Sequence, residues 1–382
     1  MHLGFRPPRA AAARSAAGPI LAALALLAAT PARAGEVVRI AVAVGPGPFT
    51  VTAPGLTVAP LREGSGAAEA AAGRATFALR GGALTVNGAP LDAAGAALDA
   101  AGPLRVDAAP RATFAGGLEV RRAPGGLAVI HAVPLEDYVA AVTVSEMPAR
   151  FPPAALQAQA VAARTFAVFK KLEAVGEGRP WHLGATVLDQ VYRAGEPDPR
   201  ARAAAAATAG EVLVFEHAPI EAYFHSTCGG RTERGADALG RDRPYLASVA
   251  CDRCRASPRA RWTVRVPAAE LGARAGLPGA VASARVAGRT ASGRAARVEL
   301  AGRGRSVTLS AVDLRQRLGF ERLPSLDFDV KVAGGAAVFQ GRGAGHGAGL
   351  CQWGAAGAAE AGEDYRAILA RYYPGTEIVR MY

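Results

Sequence analysis

The chain has 382 residues, just over half of them apolar and a fifth charged. That is a globular composition with ample material for a core, and it excludes a disordered or low-complexity protein. The formal charge is +12, which suits a polyanionic partner surface. The arginines are scattered, however, and aromatic residues make up only 6% of the chain, which argues against a nucleic-acid-binding module.

Residues 1–34 read as a secretory signal peptide. Arg6, Arg9 and Arg14 precede the short apolar run PILAALALLAA, and Ala32 and Ala34 offer small residues for cleavage before Gly35. A membrane anchor is the rival reading, but the run is short and is broken by Thr30, Pro31 and Arg33. No later segment is long and apolar enough to span a bilayer, so no membrane span is expected after cleavage.

Residues 35–125 form a β-rich N-terminal region. VVRIAVAV, FTVTA, ATFALRGGALTVNG and GLEVRRAPGGLAVI alternate apolar and polar residues, with glycine turns between them. LDAAGAALDAAG, residues 91–102, reads as an irregular loop.

From Pro134 the period becomes helical. Glu136 and Asp137 sit where the positive end of a helix dipole favours acids, and Pro148 stops the helix. Leu135, Val139 and Val142 make a buried stripe whose next position is Glu146. A carboxylate on an apolar face is paired, protonated or put to use. Its pKa is expected to rise, which suits a group that protonates a leaving oxygen and then acts as a base. The structural alternative is a buried ion pair with Arg164. Pro152 and Pro153 open a second helix. It has a narrow small-residue face (Leu156, Ala160, Ala163, Ala167) and is expected to end near Lys170 and Lys171.

Beyond residue 200 a helix runs into the strand GEVLVF, and a further strand is expected in APIEAYFHSTCGG. Strands and one helix fill 261–325. A strand, a glycine loop and a small-residue helix follow in AAVFQGRGAGHGAGLCQWGAAGAAEAG, and then a terminal helix and strand. Helices and strands mix without a βαβ rhythm, so the class is α+β, with mixed helices and antiparallel strands.

His225, Cys228, Cys251 and Cys254 have the H-x2-C…C-x2-C spacing of a zinc site, which leaves Cys351 over. An exported chain with an even number of cysteines suits disulfides, and that reading, or an unmetallated His225 in the cleft, is preferred to zinc. His225 and Ser226 are neighbours on an expected strand and point to opposite faces, so they make a poor nucleophilic pair. His346 lies in a glycine loop either as a structural cap for backbone carbonyls or as a cleft wall with Gln352 and Trp353. His131, His182 and His217 carry no partner pattern.

Five stretches occur in the order of a known family: LEDYVAAVTVSEMPARFPPAALQAQAVAARTFA, QVYRAG, IEAYFHSTCGGRTE, PYLASVACDRCRASP and GRGAGHGAGLCQWGAAGAAEAGEDYRAILARYYPGTEI. Here the chain resembles the stage II sporulation protein D (SpoIID-like) family over most of its mature length. The resemblance implies an exported peptidoglycan lytic transglycosylase, on the periplasmic or cell-wall side of the cytoplasmic membrane. Such an enzyme cleaves the MurNAc–GlcNAc bond without water and leaves a 1,6-anhydro end, with strands already stripped of stem peptides as the preferred substrate. It further implies a catalytic domain over 126–382 with the 261–325 insertion, helices and strands around a glycan cleft, and no required cofactor, a structural zinc remaining open. Glu146 of SEMP matches the family's catalytic acid. Gln159, Arg164, Tyr192, His225, Ser226, His346 and Gln352 would line the cleft. The alternative role is that of a non-catalytic enhancer that partners a cell-wall amidase, and a weaker third is a metal-dependent hydrolase using His225 and the cysteines. Two departures stand out. Leu188 and Asp189 occupy positions where some relatives carry a zinc-binding His/Cys cluster, and Cys351 replaces the usual residue before the glutamine of the glycine loop, so that it could pair with another cysteine.

Overall fold

The computed structural model describes residues 36–61, 69–110, 112–185, 190 and 192–382, with the backbone alone at 69 and 70. The expected signal peptide and the Leu188 and Asp189 departure lie outside the described residues. Among the described residues there are eight helices: α1 (Leu135–Glu146), α2 (Pro153–Gly176), α3 (Pro199–Ala207), α4 (Gly235–Leu239), α5 (Ala268–Ala275), α6 (Ala311–Leu318), α7 (Gln352–Glu360) and α8 (Tyr365–Tyr372). With six sheets, mostly antiparallel, this is an α+β protein.

The alternating segments near the N-terminus form two sheets around one core. In the seven-stranded sheet Val37–Gly45 pairs with Gly126–Pro134, which pairs in turn with Leu118–Ala123. The five-stranded sheet is built on Phe49–Thr52, Arg74–Arg80 and Ala83–Val86. Val51, Phe77 and Leu84 of one sheet meet Leu98, Val120 and Val129 of the other. The stretch expected to be a loop at 91–102 contains a strand, Gly95–Asp99, inside the larger sheet. Alanine is a poor strand former, but the alternation of Ala96 and Leu98 buries both, and packing overrides propensity. The boundary expected after residue 125 falls in the turn of the hairpin 118–134, and residues Glu36–Tyr382 form one compact unit.

Helix α1 starts directly from Pro134, and Met147 leaves it in an extended conformation because proline follows. The stripe Leu135, Val139 and Val142 is buried, as its spacing predicts. Helix α2 is the central element, with Leu156, Ala160, Ala163 and Ala167 at most 1% exposed. Small side chains there let α1, α3, α7 and α8 approach it closely. It runs past Lys170 and Lys171 to Gly176, so the two lysines are not its end. Lys170 instead pairs with Glu173 one turn on, at 2.9 Å.

The β-rich insertion is larger than the expected 261–325. Trp262–Pro267 pairs with Ala336–Gly341, and that strand pairs with Phe328–Ala333. Together with the sheet of Ser283–Arg289, Ala295–Gly302 and Arg305–Ser310 and with α5 and α6, these strands share a core from Trp262 to Phe339. At the C-terminus Glu377–Arg380 pairs with Glu211–Phe215.

Candidate active site

Glu146 is the last residue of α1. The residue after it, Met147, is 1% exposed in the core beneath α2, α7 and α8 and donates its N–H to Thr143 O at 2.9 Å. This anchor fixes where the helix ends, and so where Glu146 sits. The stripe thus runs from full burial at Leu135 to a half-buried carboxylate on the wall of a cleft of about 940 Å³.

Three other parts of the chain supply most of the rest of that cleft, with Phe166 of α2 and Ala238 and Leu239 of α4 filling in. The first is the segment Tyr223–Ser226. Phe224–His225 pairs in parallel with Leu350–Cys351, which sets Gln352, at the start of α7, beside His225. The second is the glycine loop, with Gly345 and His346. It wraps tightly over the first: a side chain at Gly349, where φ is +68°, would reach 2.0 Å from Tyr223 O. The third is the insertion, which contributes Val312, Arg315, Phe320, Glu321 and Arg322.

The two cleft histidines differ in their freedom. His346 Nε2–H donates to Phe224 O at 2.8 Å, and its Nδ1 accepts from Ala348 N–H at 3.2 Å. Both nitrogens are held by backbone, so His346 acts as the structural cap. Burial pushes its pKa down to about 4. His225 Nδ1–H donates to Ala348 O at 3.0 Å, which leaves Nε2 as a bare acceptor. That Nε2 is buried without a hydrogen-bond partner. Burial first, then the charges of His346 and Arg294, hold His225 well below the ordinary histidine range. A neutral, unsatisfied acceptor on a cleft wall is suited to a ligand hydroxyl.

Tyr223 presents an aromatic ring, packed edge-on against His346. Burial and the neighbouring Glu221 push its phenol up to about 12. Arg315 is fixed by Leu323 O and Pro324 O, both at 2.7 Å, and burial lowers it to about 10. Phe320 stacks on that guanidinium and stays 44% exposed at the cleft.

The expected cleft residues divide. Glu146, His225, Ser226, His346 and Gln352 line the cleft together. Gln159 lies just behind, fully buried, and its Oε1 accepts from Gln352 Nε2 at 3.4 Å. Arg164 and Tyr192 are elsewhere. Arg164 is completely buried and forks onto Glu136 with bonds of 2.8 and 2.6 Å. Its ion partner is therefore the acid near the start of α1, not Glu146 at its end. Burial raises the Glu136 carboxyl, but Arg164, Tyr382 and the Gly210 N–H outweigh it and leave it below the usual range. Tyr192 donates to His131 Nδ1 at 2.9 Å and packs beside Tyr138, in the core of the larger sheet with α1 and α2. Sequence reasoning missed Tyr223, Arg315, Phe320 and Glu321. Arg315, Phe320 and Glu321 carry no local signal, because their place at the cleft is created by the insertion, whereas Tyr223 lies two residues before His225 in the stretch IEAYFHSTCGGRTE, where a signal was available.

The expected metal set is also redrawn. Cys228, Cys251, Cys254 and Cys351 have their sulfurs within 4.8 Å of one another, all buried, and His225 is outside this group. Cys351, left over by spacing, is its fourth member. No disulfide bond joins any of the four in this structure.

Residues 123–215 match the family model for stage II sporulation protein, SpoIID. The chain is 35% identical over 262 residues to stage II sporulation protein D of Bacillus subtilis, covering 64% of this chain and 74% of that one. It is 33% identical over 252 residues to an uncharacterized protein of Brachyspira hyodysenteriae, covering 66% and 68%. A 26% match to the amidase enhancer of Bacillus subtilis spans 62% of this chain and 39% of that protein. The chain belongs to the stage II sporulation protein D family.

Proposed function

We propose that the protein is an exported peptidoglycan lytic transglycosylase that cleaves MurNAc–GlcNAc bonds in glycan strands. One observation carries the reading: Glu146 opens onto a cleft of about 940 Å³ that also presents the unsatisfied His225 Nε2 and the aromatic rings of Tyr223 and Phe320. Aromatic faces and hydroxyl acceptors are what a sugar polymer asks of a groove. In the proposed reaction the protonated Glu146 carboxyl gives its proton to the glycosidic oxygen as the C1–O bond breaks. The resulting carboxylate takes the proton of the MurNAc C6 hydroxyl as that oxygen closes on C1. No water is consumed, a single carboxyl group serves both steps, and no cofactor enters. Gln352 and Ser226 line the same cleft as the acid, and Gln159 accepts from the Gln352 amide behind it. Glu321, a second carboxylate on the cleft, belongs to the exposed rim.

Export is the proposed location. No helix among the described residues is long and apolar enough to cross a membrane. The basic charge of the chain suits an anionic wall.

The relative named amidase enhancer favours a second reading, in which the cleft binds wall or a cell-wall amidase and stimulates it without cleavage. Purified protein and its Glu146→Gln variant, incubated with peptide-free glycan strands, decide between them. The enzyme reading expects 1,6-anhydro ends by mass spectrometry from the wild type and at least about a hundredfold fewer from the variant. Equal release from both, or none from either, overturns it.

A further inference from the structure

We infer that Cys228, Cys251, Cys254 and Cys351 form a structural zinc site with four thiolate ligands. The inference is independent of the reading of the cleft. Tetrahedral zinc with Zn–S bonds of about 2.3 Å holds its sulfurs about 3.8 Å apart. Here Cys228 Sγ and Cys254 Sγ are 3.6 Å apart, and all four sulfurs fall within 4.8 Å of one another. None of the four residues is more than 3% exposed. A d¹⁰ cation with no geometric preference of its own fits such a closed all-sulfur shell, and hard cations such as magnesium or calcium do not.

The surroundings are those of thiolates. Cys351 caps the N-terminus of α7, where the helix dipole favours negative charge. Its sulfur accepts N–H bonds from Cys228 at 3.2 Å and from Gly354 at 3.3 Å. The Tyr372 hydroxyl lies 3.1 Å from Cys251 Sγ. Such outer donors orient metal ligands and spread their charge. Space has been kept for the cluster as well. A side chain on Gly354 would come within 2.6 Å of Cys251 Sγ and 2.1 Å of the Tyr372 hydroxyl.

The ion would tie three distant segments together: the loop following His225, the turn at 251–254 and the start of α7. The first and third carry His225, Ser226 and Gln352 of the cleft, so the metal would hold that wall in place. In an oxidising compartment it would also keep four adjacent thiols from pairing.

Elemental analysis of the full chain, purified without added metal or chelator, should find one zinc per molecule. Alkylation under native conditions should leave the four cysteines unmodified until a strong chelator is added, and cobalt loaded in place of zinc should give the intense visible bands of a tetrahedral thiolate complex. Cys351→Ser should lose the zinc. If that variant does not fold, Cys254→His, which keeps a fourth ligand of different chemistry, should retain zinc while the cobalt bands shift. Wild-type protein with intact disulfides by mass spectrometry, with iron in place of zinc, or with thiols alkylated at once in the absence of chelator overturns the inference.

Discussion

Arg164 separates the sequence reading from the tertiary one in a single experiment. Motif membership puts it in the cleft, whereas the structure buries it completely and gives it five hydrogen bonds. Two go to Glu136, one to the Thr208 hydroxyl, and two to the carbonyls of Ala205 and Glu211. The Ala205 bond also satisfies a carbonyl of the last turn of α3, where helix ends need outside donors. Arg164→Met keeps much of the stem volume but removes every donor. Two buried carbonyls then lose a charged donor, at about 1–2 kcal/mol each, and Glu136 loses its partner. Glu136 retains some access to water, with its side chain 32% exposed, which limits that part of the cost. The total is about 3–5 kcal/mol, the range seen when one member of a buried pair is removed. Glu136→Gln should cost at least as much, because it strands the fully buried cation. The double variant should be less destabilised than the sum of the two singles, showing coupling of about 1 kcal/mol or more. Urea unfolding followed by far-ultraviolet circular dichroism measures all three, while the glycan assay below the transition reports activity per folded molecule. Unchanged unfolding midpoints combined with collapsed activity would refute the structural role and return Arg164 to the cleft.

Phe320→Ala removes an exposed ring at the cleft and should change unfolding free energy by less than about 0.5 kcal/mol. Steady-state kinetics should show a several-fold rise in KM for glycan with kcat little altered. Gly349→Ala introduces a side chain 2.0 Å from Tyr223 O at a positive φ and should destabilise by about 3 kcal/mol or prevent accumulation, as read from soluble yield and melting. Acid should weaken the fold in two stages. His346 titrates near 6.5 when unfolded and at about 4 when folded, so its stabilising effect is full above 6.5 and is lost as the pH falls from 6.5 to 4. With the solvent-facing part of the ring allowed for, that loss is about 2 kcal/mol, and His346→Asn should flatten this part of a stability–pH profile. Glu136, held below its ordinary 4.5, stabilises above 4.5 and loses that contribution as the pH falls further, through its folded value. Its loss should vanish in Glu136→Gln.

Local chemistry made much of the chain legible. Apolar alternation placed the hairpins of the N-terminal sheets, Pro148 and Pro153 set the exit of α1 and the entry of α2, and the i, i+4, i+7 stripe pointed at Glu146 without any knowledge of the cleft. These are properties of neighbours in sequence, governed by backbone dihedrals and side-chain period. The rest depended on which distant segments meet. Spacing grouped His225 with three cysteines, but Cys351 is brought to them by a two-residue parallel pairing across more than a hundred residues, while the His225 ring is held by Ala348. The assignment of Arg164 turned on whether Glu136 or Glu146 faces it across the α1–α2 contact, ten residues apart on one helix. The far wall of the cleft, with Arg315 and Phe320, exists only because the insertion is held against the 228–233 loop, where Arg294 donates to Cys228 O and Arg231 O, and Thr290 and Ser292 donate to Glu233. Sequence period dictates which face of an element is greasy, and it says nothing of which partner covers that face. The partner is selected by shape and polar satisfaction summed over the whole fold.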